Sequence, residues 1–250
     1  MTADWNALPD ALERHATARA PARFWLRDDD AVSDTPALRQ LGDWAARAGT
    51  EVLLAVVPAF ADDTLKQALG EMPRFVPAVH GWAHKNHAPA SEKKQELGAH
   101  RPLEDVCAEL GAARSGIEAL CGARALPVLV PPWNRVSEEV VQRLPQLGYS
   151  GLSTFAGAFT DEGVEGLTVE NSHLDLIDWR GTRGGRDHQA LIDDLVKLIE
   201  VRAPAGLPIG ILSHHLVHDE AAWSFLDKLA HVLGGHPRAR WLSPGELFGA

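Results

Sequence analysis

Residues 23–32 read RFWLRDDDAV, an apolar run that ends in three consecutive carboxylates. The apolar part is typical of a buried strand, and the acids follow where that strand ends. Like charges this close together repel one another, so any that are buried require protonation, a cationic partner or a metal ion. Asp28, Asp29 and Asp30 therefore predict a charged site at the end of a strand.

Outward from this strand, short apolar runs alternate with amphipathic stretches, as they do in βα units. The predicted strands are 23–28, 51–58, 74–80, 125–131, 149–155, 167–179, 207–214 and 238–243. The predicted helices lie near 5–17, 35–48, 62–70, 102–121, 136–147, 187–202 and 219–233. This alternation in 250 residues predicts an α/β fold with a closed or nearly closed barrel. An open dinucleotide-binding sheet is the alternative, but no G-x-G-x-x-G follows a strand.

The composition excludes some classes of partner. The net charge of −10 argues against nucleic acid and against an anionic membrane surface. No apolar run reaches the roughly 18 residues of a membrane-spanning helix. The first twenty residues lack the apolar region of a secretory signal, and the two cysteines, Cys107 and Cys121, fit a reducing compartment. We therefore expect a cytoplasmic protein.

Unusual polar residues recur at the ends of the predicted strands, which is where the catalytic and binding residues of βα barrels lie. His80 and His84, in HGWAHKNH, are four residues apart, so a helical turn would place both imidazoles on one face. Two imidazoles and one carboxylate leave coordination positions open, as catalytic zinc sites require. The acids of residues 28–30 can supply that carboxylate. Three further segments end strands in the same way: PPWNR (131–135), DLIDW (175–179) and SHHLVH (213–218).

These segments, in this order, resemble the motifs of the polysaccharide deacetylase (NodB-homology) family over roughly residues 20–220. The matching residues are Asp29-Asp30, His80/His84, Pro131-Pro132-Trp133, Asp175/Asp178-Trp179 and Leu212-Ser213-His214. The resemblance implies a distorted (β/α) barrel with about seven parallel strands, in a single catalytic domain spanning 1–250. It also implies a divalent metal, most often zinc, with cobalt, nickel or another first-row metal as alternatives.

The resemblance implies a role for each matching residue. Asp30, His80 and His84 would bind the metal, Asp29 would be the general base and His214 would protonate the departing amine. The two prolines before Trp133 carry no N–H, so the backbone N–H of Trp133 is the first donor able to form an oxyanion hole. Candidate residues of the substrate pocket and its support are Trp82, Trp133, Asn134, Trp179, His215 and, as part of the catalytic machinery, Asp178.

The chain also departs from the family pattern, which leaves several alternatives open. Val130 stands where the family usually has an arginine, and either Arg27 or Arg135 can take over its support of the catalytic acid. Gly81 replaces the usual Ser or Thr after the first histidine. Strict strand alternation would place Asp28 and Asp30 on one face and Asp29 on the other. The family pattern instead requires Asp29 and Asp30 to converge. The general base is therefore Asp28 or Asp29. The proton donor, in the same way, is His214 or His215.

The expected function is metal-dependent hydrolysis of a non-peptide C–N bond, most simply the N-deacetylation of an amino sugar or related N-acyl compound. The expected partner is a small-molecule or oligosaccharide substrate, with neither nucleic acid nor membrane. Two alternatives remain. One is a hydrolase of small non-sugar amides or imides on the same fold, and the other is a catalytically inactive carbohydrate-binding relic.

Overall fold

The computed structural model describes residues 3–157 and 164–249, which form an α/β fold. The strands are β1 (Ala22–Ala31), β2 (Val52–Val56), β3 (Phe75–Val79), β4 (Val128–Leu129), β5 (Gly151–Leu152), β6 (Thr168–Val169), β7 (Ser172–Asp175), β8 (Ile209–Ser213) and β9 (Ala239–Trp241). The helices are α1 (Ala7–His15), α2 (Pro36–Ala48), α3 (Asp63–Glu71), α4 (Leu103–Cys121), α5 (Glu138–Arg143), α6 (His188–Arg202), α7 (Glu220–Gly234) and α8 (Pro244–Phe248).

The predicted elements correspond closely to these. The strand predicted over 167–179 is in fact two short strands, β6 and β7, and helix α8 was not predicted. The strand order is β6-β5-β4-β3-β2-β1-β8-β7, with β9 paired to β1. Eight strands in this order, where about seven were expected, confirm the predicted α/β class with a distorted (β/α) barrel.

Several helices begin at a polar residue whose side chain accepts hydrogen bonds from the first free backbone N–H groups. Asp62 caps α3, Ser137 caps α5, Asp187 caps α6 and Asp219 caps α7. Each cap stands directly before an amphipathic stretch, which is the usual signal of a helix start. This explains why the sequence predicted these boundaries well.

The chain divides into two compact units. The first comprises Met1–Asp28, Pro36–Val52 and Ser172–Pro244, and the second comprises Asp29–Thr35, Leu53–Asn171 and Gly245–Ala250. Each unit is built from segments that are distant in the sequence. The prediction that residues 1–250 form one catalytic domain stays a prediction.

In the first unit, β1 pairs in parallel with β8 and with β9, and β8 pairs with β7. Phe24, Trp25 and Leu26 of β1 have no exposed surface, so the strand is covered on both faces, as expected in an α/β sheet. Trp241 of β9 packs edge-on against Trp44 of α2. This apolar core holds the C-terminal ends of β1 and β8 in register, with Asp28 opposite Ser213.

In the second unit, β3, β4, β5 and β6 form successive parallel pairs. The backbone N–H of His80, just after β3, donates to Val56 at 2.8 Å, and that of Val130, just after β4, donates to Val79 at 2.8 Å. These bonds extend the ladder past the ends of the strands. The residues that follow β3 and β4 therefore leave the sheet beside each other.

None of the helices within the described part of the chain is long and apolar enough to cross a membrane.

Candidate metal centre

Asp30, His80 and His84, all in the second unit, bring one carboxylate and two imidazoles together, with ligand atoms within 4.8 Å of one another. The Oδ1 atom of Asp30 lies 3.2 Å from Nε2 of His80 and 3.4 Å from Nε2 of His84. In a tetrahedral zinc site with bonds of about 2.0–2.2 Å, neighbouring ligand atoms are about 3.3–3.6 Å apart. The spacing of this donor set therefore suits a divalent metal ion.

Left-handed backbone conformations, rather than a helical turn, bring the two imidazoles together. The backbone φ angle is +61° at Gly81 and +51° at His84, and the segment after β3 contains no helix. The expected helical turn is therefore wrong. The imidazole rings still meet, with centroids 5.1 Å apart. A left-handed conformation is costly for a residue with a Cβ atom, so surrounding contacts must hold His84 in place.

A left-handed residue also ends the regular alternation of β1. Asp30 has a φ of +77°, which turns its side chain away from the direction that strict alternation predicts. Asp28 and Asp30, expected on one face, in fact contact different partners: Asp28 binds Ser213 and His215, and Asp30 faces His80 and His84. The turn at the strand end allows Asp29 and Asp30 to act on the same imidazole.

The orientation of the His80 ring suits metal binding. Its Nδ1 atom lies 2.9 Å from the carbonyl oxygen of Val130, and an N–H donated there leaves Nε2 with its lone pair facing Asp30. Burial by itself would lower the pKa of His80, but the negative charges of Asp29 and Asp30 outweigh it and hold the pKa above its ordinary value. Burial lowers the pKa of His84, and the neighbouring His80 lowers it further.

The candidate site is open on one side. The side chain of His80 is 2% exposed, whereas those of Asp30 and His84 are 34% and 27% exposed. Three protein ligands with one accessible side are typical of catalytic rather than structural zinc sites. The residues present therefore fit a divalent metal ion, which would keep coordination positions free for solvent or substrate.

Sequence reasoning missed one acid of this region, Glu96. Its side chain is buried, with 1% of the residue exposed, and it accepts hydrogen bonds from the backbone N–H groups of Trp82, Ala83 and Lys85. These residues lie between and beside the two candidate histidine ligands. Glu96 stands in the strongly charged run SEKKQELG, which is typical of a solvated loop, so the sequence carries no signal of its burial.

The Pro-Pro-Trp turn follows β4 and lies next to His84. Trp133 has a φ of +55°, and its ring centroid is 4.3 Å from that of His84. The N–H groups of Asn134 and Arg135 donate back to Pro131 and Pro132. Within residues 3–157 and 164–249, no hydrogen bond from the N–H of Trp133 is found. The role of this N–H as an oxyanion donor stays a prediction.

The two arginines considered as supports lie in different surroundings. Arg27, in β1, is fully buried. Arg135 donates from Nη1 to the backbone carbonyl of Lys94 at 2.8 Å, and the ammonium of Lys94 lies 5.9 Å from the centre of the Trp133 ring. The choice between the two arginines stays open. Asn134 follows Trp133 with a φ of +58°.

The first unit holds a second polar cluster, centred on Asp28, which is fully buried. Its carboxylate accepts from Ser213 Oγ at 2.5 Å, from the backbone N–H of His215 at 2.9 Å and from the ring of His215. Burial favours the neutral acid, but the positive charge and hydrogen bond of His215 outweigh it, and the pKa of Asp28 lies below its ordinary value. Asp28 is thus bonded to a histidine that had been expected to line the substrate pocket.

His214 and Trp179, also in the first unit, contact each other with ring centroids 4.7 Å apart. Trp179 is 44% exposed, and its ring N–H donates to Asp175 at 2.9 Å. Asp178 accepts from the backbone N–H groups of Gly181 and Thr182 and so closes the following turn. Trp179 is therefore accessible to a ligand, whereas the visible contacts of Asp178 are those of a turn.

Neither the models of protein families nor the curated proteins give a match to this sequence. Solved structures are similar in fold. The family 4 carbohydrate esterase from Streptomyces lividans, in complex with acetate, is 14% identical, with a TM-score of 0.59 over 89% of this chain and 91% of that chain. The peptidoglycan deacetylase PdaC from Bacillus subtilis is 14% identical, with a TM-score of 0.57 over 92% and 91%.

A third similar structure is a mutant of BA3943, described as a CE4 family pseudoenzyme. It is 12% identical, with a TM-score of 0.62 over 91% of this chain and 67% of that chain. Identities this low show the fold alone, and at that level the resemblance to polysaccharide deacetylases is confirmed. The same fold occurs in proteins described as deacetylases and in one described as a pseudoenzyme, so activity has to be argued from the site.

Proposed function

We propose that this protein is a metal-dependent hydrolase that removes an acyl group from an amide nitrogen, with an N-acetylated amino sugar or a related N-acyl compound as substrate. The observation that carries the proposal is the donor set of Asp30, His80 and His84, in which His80 is oriented by the carbonyl of Val130. The similar solved structures, which include a peptidoglycan deacetylase, support the choice of reaction.

A metal ion held by these three residues would supply Lewis-acid polarisation of the acyl carbonyl and a lowered pKa for a water molecule. Zinc suits the two imidazoles and one carboxylate best, and cobalt or nickel can replace it. Asp29 is buried, and its charge acts on His80, which supports a role as the general base that takes a proton from the attacking water. The N–H of Trp133 would donate to the developing oxyanion.

His214 is proposed to return a proton to the departing amine. Imidazole side chains are common general acids, because they can bind and release a proton near neutral pH. The ring of His214 contacts exposed Trp179, and this neighbouring aromatic surface supports the proposal. Aromatic faces stack on apolar faces of sugar rings, so Trp179, with Trp82 and Trp133, is a candidate for substrate contact.

A cytoplasmic location is part of the proposal. The cysteines Cys107 and Cys121 are both free, which suits a reducing compartment. The location is a point for direct test. Fractionation of cells that produce the protein would decide it.

An inactive binding protein is the second candidate function, because one similar structure is described as a pseudoenzyme. The two candidates differ in whether a bound metal ion is required and in whether the substrate is turned over. The decisive experiment incubates zinc-loaded and cobalt-loaded protein with a panel of N-acyl amino sugars, small amides and cyclic imides and measures the released acid. Release that disappears in the His80→Ala variant supports the hydrolase. Metal-loaded protein that binds sugars without releasing acid from any compound supports the binding protein.

A further inference from the structure

Glu96 holds the segment that carries His84. Its Oε1 atom lies 2.8 Å from the backbone nitrogen of Ala83 and 3.2 Å from that of Lys85, and its Oε2 atom lies 3.1 Å from that of Trp82. One carboxylate thus satisfies three backbone donors on both sides of His84. Because this segment is neither helix nor strand, these N–H groups have no partner from regular secondary structure.

Because Glu96 is buried, its carboxylate depends on these three hydrogen bonds. A carboxylate removed from water loses its hydration, and charge-assisted hydrogen bonds to backbone N–H groups are the interactions that offset this loss. With 1% of the residue exposed, Glu96 has little access to solvent as a substitute for them. The conformation of residues 82–85 and the buried position of Glu96 therefore require each other.

The absence of a side chain at Gly81 leaves the space that the Glu96 carboxylate occupies. A Cβ atom built on Gly81 would lie 2.1 Å from Oε2 of Glu96 and 2.7 Å from the ring of Pro132, and its φ of +61° favours glycine. Any side chain at position 81 would displace the carboxylate or the Pro-Pro-Trp turn. The glycine that departs from the family pattern is thus the residue that admits Glu96 between the two segments.

Backbone bonds of the two residues beside Glu96 tie it to the histidine segment on one side and to the chain after the Pro-Pro-Trp turn on the other. Gln95 accepts from the N–H of His87 at 3.0 Å, and Leu97 accepts from the N–H of Ser137 at 2.8 Å and forms a bridge with Val136. The backbone is therefore held on both sides of Glu96, whose carboxylate bonds residues 82–85. It connects the histidine segment with the chain that follows Trp133.

We propose that Glu96 is a positioning residue of the metal centre, which holds His84 in its left-handed conformation opposite Asp30 and His80. This inference rests on the proposed metal site. Residues that orient metal ligands change metal affinity by about 10–100-fold when they are replaced. Glu96 does so through the backbone of the ligand segment, without contact with the metal.

The test compares full-length Glu96→Gln with Glu92→Gln, a matched control at an exposed acid of the same loop that faces His100. The amide keeps the shape of the side chain but offers one acceptor oxygen in place of two. We expect the Kd for Zn²⁺, measured by competition with a chromophoric chelator, to rise about 10–100-fold in Glu96→Gln and to stay unchanged in Glu92→Gln. The visible spectrum of the Co²⁺-loaded variant should change as well, because the ligand geometry changes.

Hydrogen exchange of the metal-free proteins gives an independent readout. At least one of the amides of Trp82, Ala83 and Lys85 should exchange faster in Glu96→Gln than in wild type, and none should in Glu92→Gln. If Glu96→Gln does not fold, Glu96→Asp replaces it, since the shorter side chain keeps the charge but cannot reach all three amides.

Failure of the proposed function and failure of the positioning role give different results. Wild-type protein that binds no Zn²⁺ overturns the proposed function, and with it the role of Glu96 toward a metal. Wild-type protein that binds Zn²⁺ with the same Kd and the same Co²⁺ spectrum as folded Glu96→Gln leaves the proposed function standing and overturns the positioning role, whatever the exchange rates are.

Discussion

Asp28 and His215 form a buried pair in which one carboxylate accepts from both the backbone N–H and the ring Nδ1 of the histidine. Asp28 has no exposed surface and His215 is 1% exposed. Asp28 had been considered as an alternative to Asp29 for the general base, and His215 as an alternative to His214 for the proton donor. The mutual bonding of the two alternatives favours a structural role for both.

Replacement of His215 should therefore reduce stability. Removal of one partner of a buried ionic pair typically costs about 3–5 kcal/mol, because the other charge stays buried without its cationic partner. We expect His215→Ala to lower the free energy of unfolding by that amount, and His214→Ala to lower it much less. Urea denaturation of both variants at neutral pH measures the difference. Equal stability of wild type and His215→Ala would mean that the Asp28 carboxylate is protonated or hydrated in the variant at little cost in free energy.

The proton donor can be tested by turnover. We expect His214→Ala to reduce turnover by about 10²–10⁴-fold, the usual contribution of a positioned general acid, while the metal content stays unchanged. His215→Ala, compared at a temperature where it is folded, should lose much less. A larger loss in His215→Ala with metal retained would transfer the role of proton donor to His215.

The metal content provides the most direct test of the site. We expect purified wild-type protein to hold one zinc or other first-row divalent ion per chain, because the donor atoms of Asp30, His80 and His84 are spaced for it. Elemental analysis should show that His80→Ala and Asp30→Asn lose the ion, whereas His87→Ala, at a partly exposed histidine of the same loop, retains it. Absence of metal from wild type after incubation with excess zinc contradicts the site.

Metal removal should also lower the melting temperature. Binding of an ion to the folded state alone stabilises that state, and metal-ligating histidines must be deprotonated. We therefore expect a chelator to reduce the Tm at pH 8 and to have a smaller effect below about pH 6, where protons already compete for the imidazoles. The Tm of His80→Ala should not respond to the chelator at either pH. A wild-type Tm indifferent to chelator at pH 8 would show that metal and folding are not coupled.

Acid stability should depend on His173 of β7. Its Nδ1 atom accepts a hydrogen bond from the N–H of Gly210 at 2.9 Å, and burial lowers its pKa to about 4. Between the unfolded pKa near 6.5 and this value, the unfolded chain binds more protons than the folded chain, so stability falls as pH falls. The loss is up to about 1.4 kcal/mol per pH unit for one such group.

The variant His173→Asn tests this effect, because an amide oxygen can accept from Gly210 without titrating. We expect a shallower loss of stability between pH 6.5 and 4 in His173→Asn, measured by denaturant unfolding across that range. His231→Asn, at an exposed histidine of α7, serves as the control and should follow wild type. A slope in His173→Asn as steep as that of wild type would assign the acid sensitivity to other groups, such as His218, whose pKa burial also lowers to about 4.

The sequence by itself determined the order of the elements and the chemical types of the candidate ligands. Hydrophobic periodicity and the caps at Asp62, Ser137, Asp187 and Asp219 are local signals, so the helices other than α8 could be predicted to within a few residues. His80 and His84 were predicted to share a metal with one of the acids 28–30, because these segments follow the ends of apolar strands, and the C-terminal ends of parallel strands lie along one edge of a sheet. The choice of Asp30 among the three acids came from the resemblance to polysaccharide deacetylases. The structure brings these three residues together.

Only the tertiary structure decided what each acid contacts. Strand alternation predicts one direction for Asp28 and Asp30, but the left-handed conformation of Asp30 separates them, and such a conformation depends on surrounding contacts that no short sequence window contains. Glu96 was missed for the same reason: its neighbours in sequence are solvated charges, while its burial depends on the space left by Gly81 and Pro132. Local sequence sets propensity, whereas the free energy of a buried charge is set by the donors that the fold places around it.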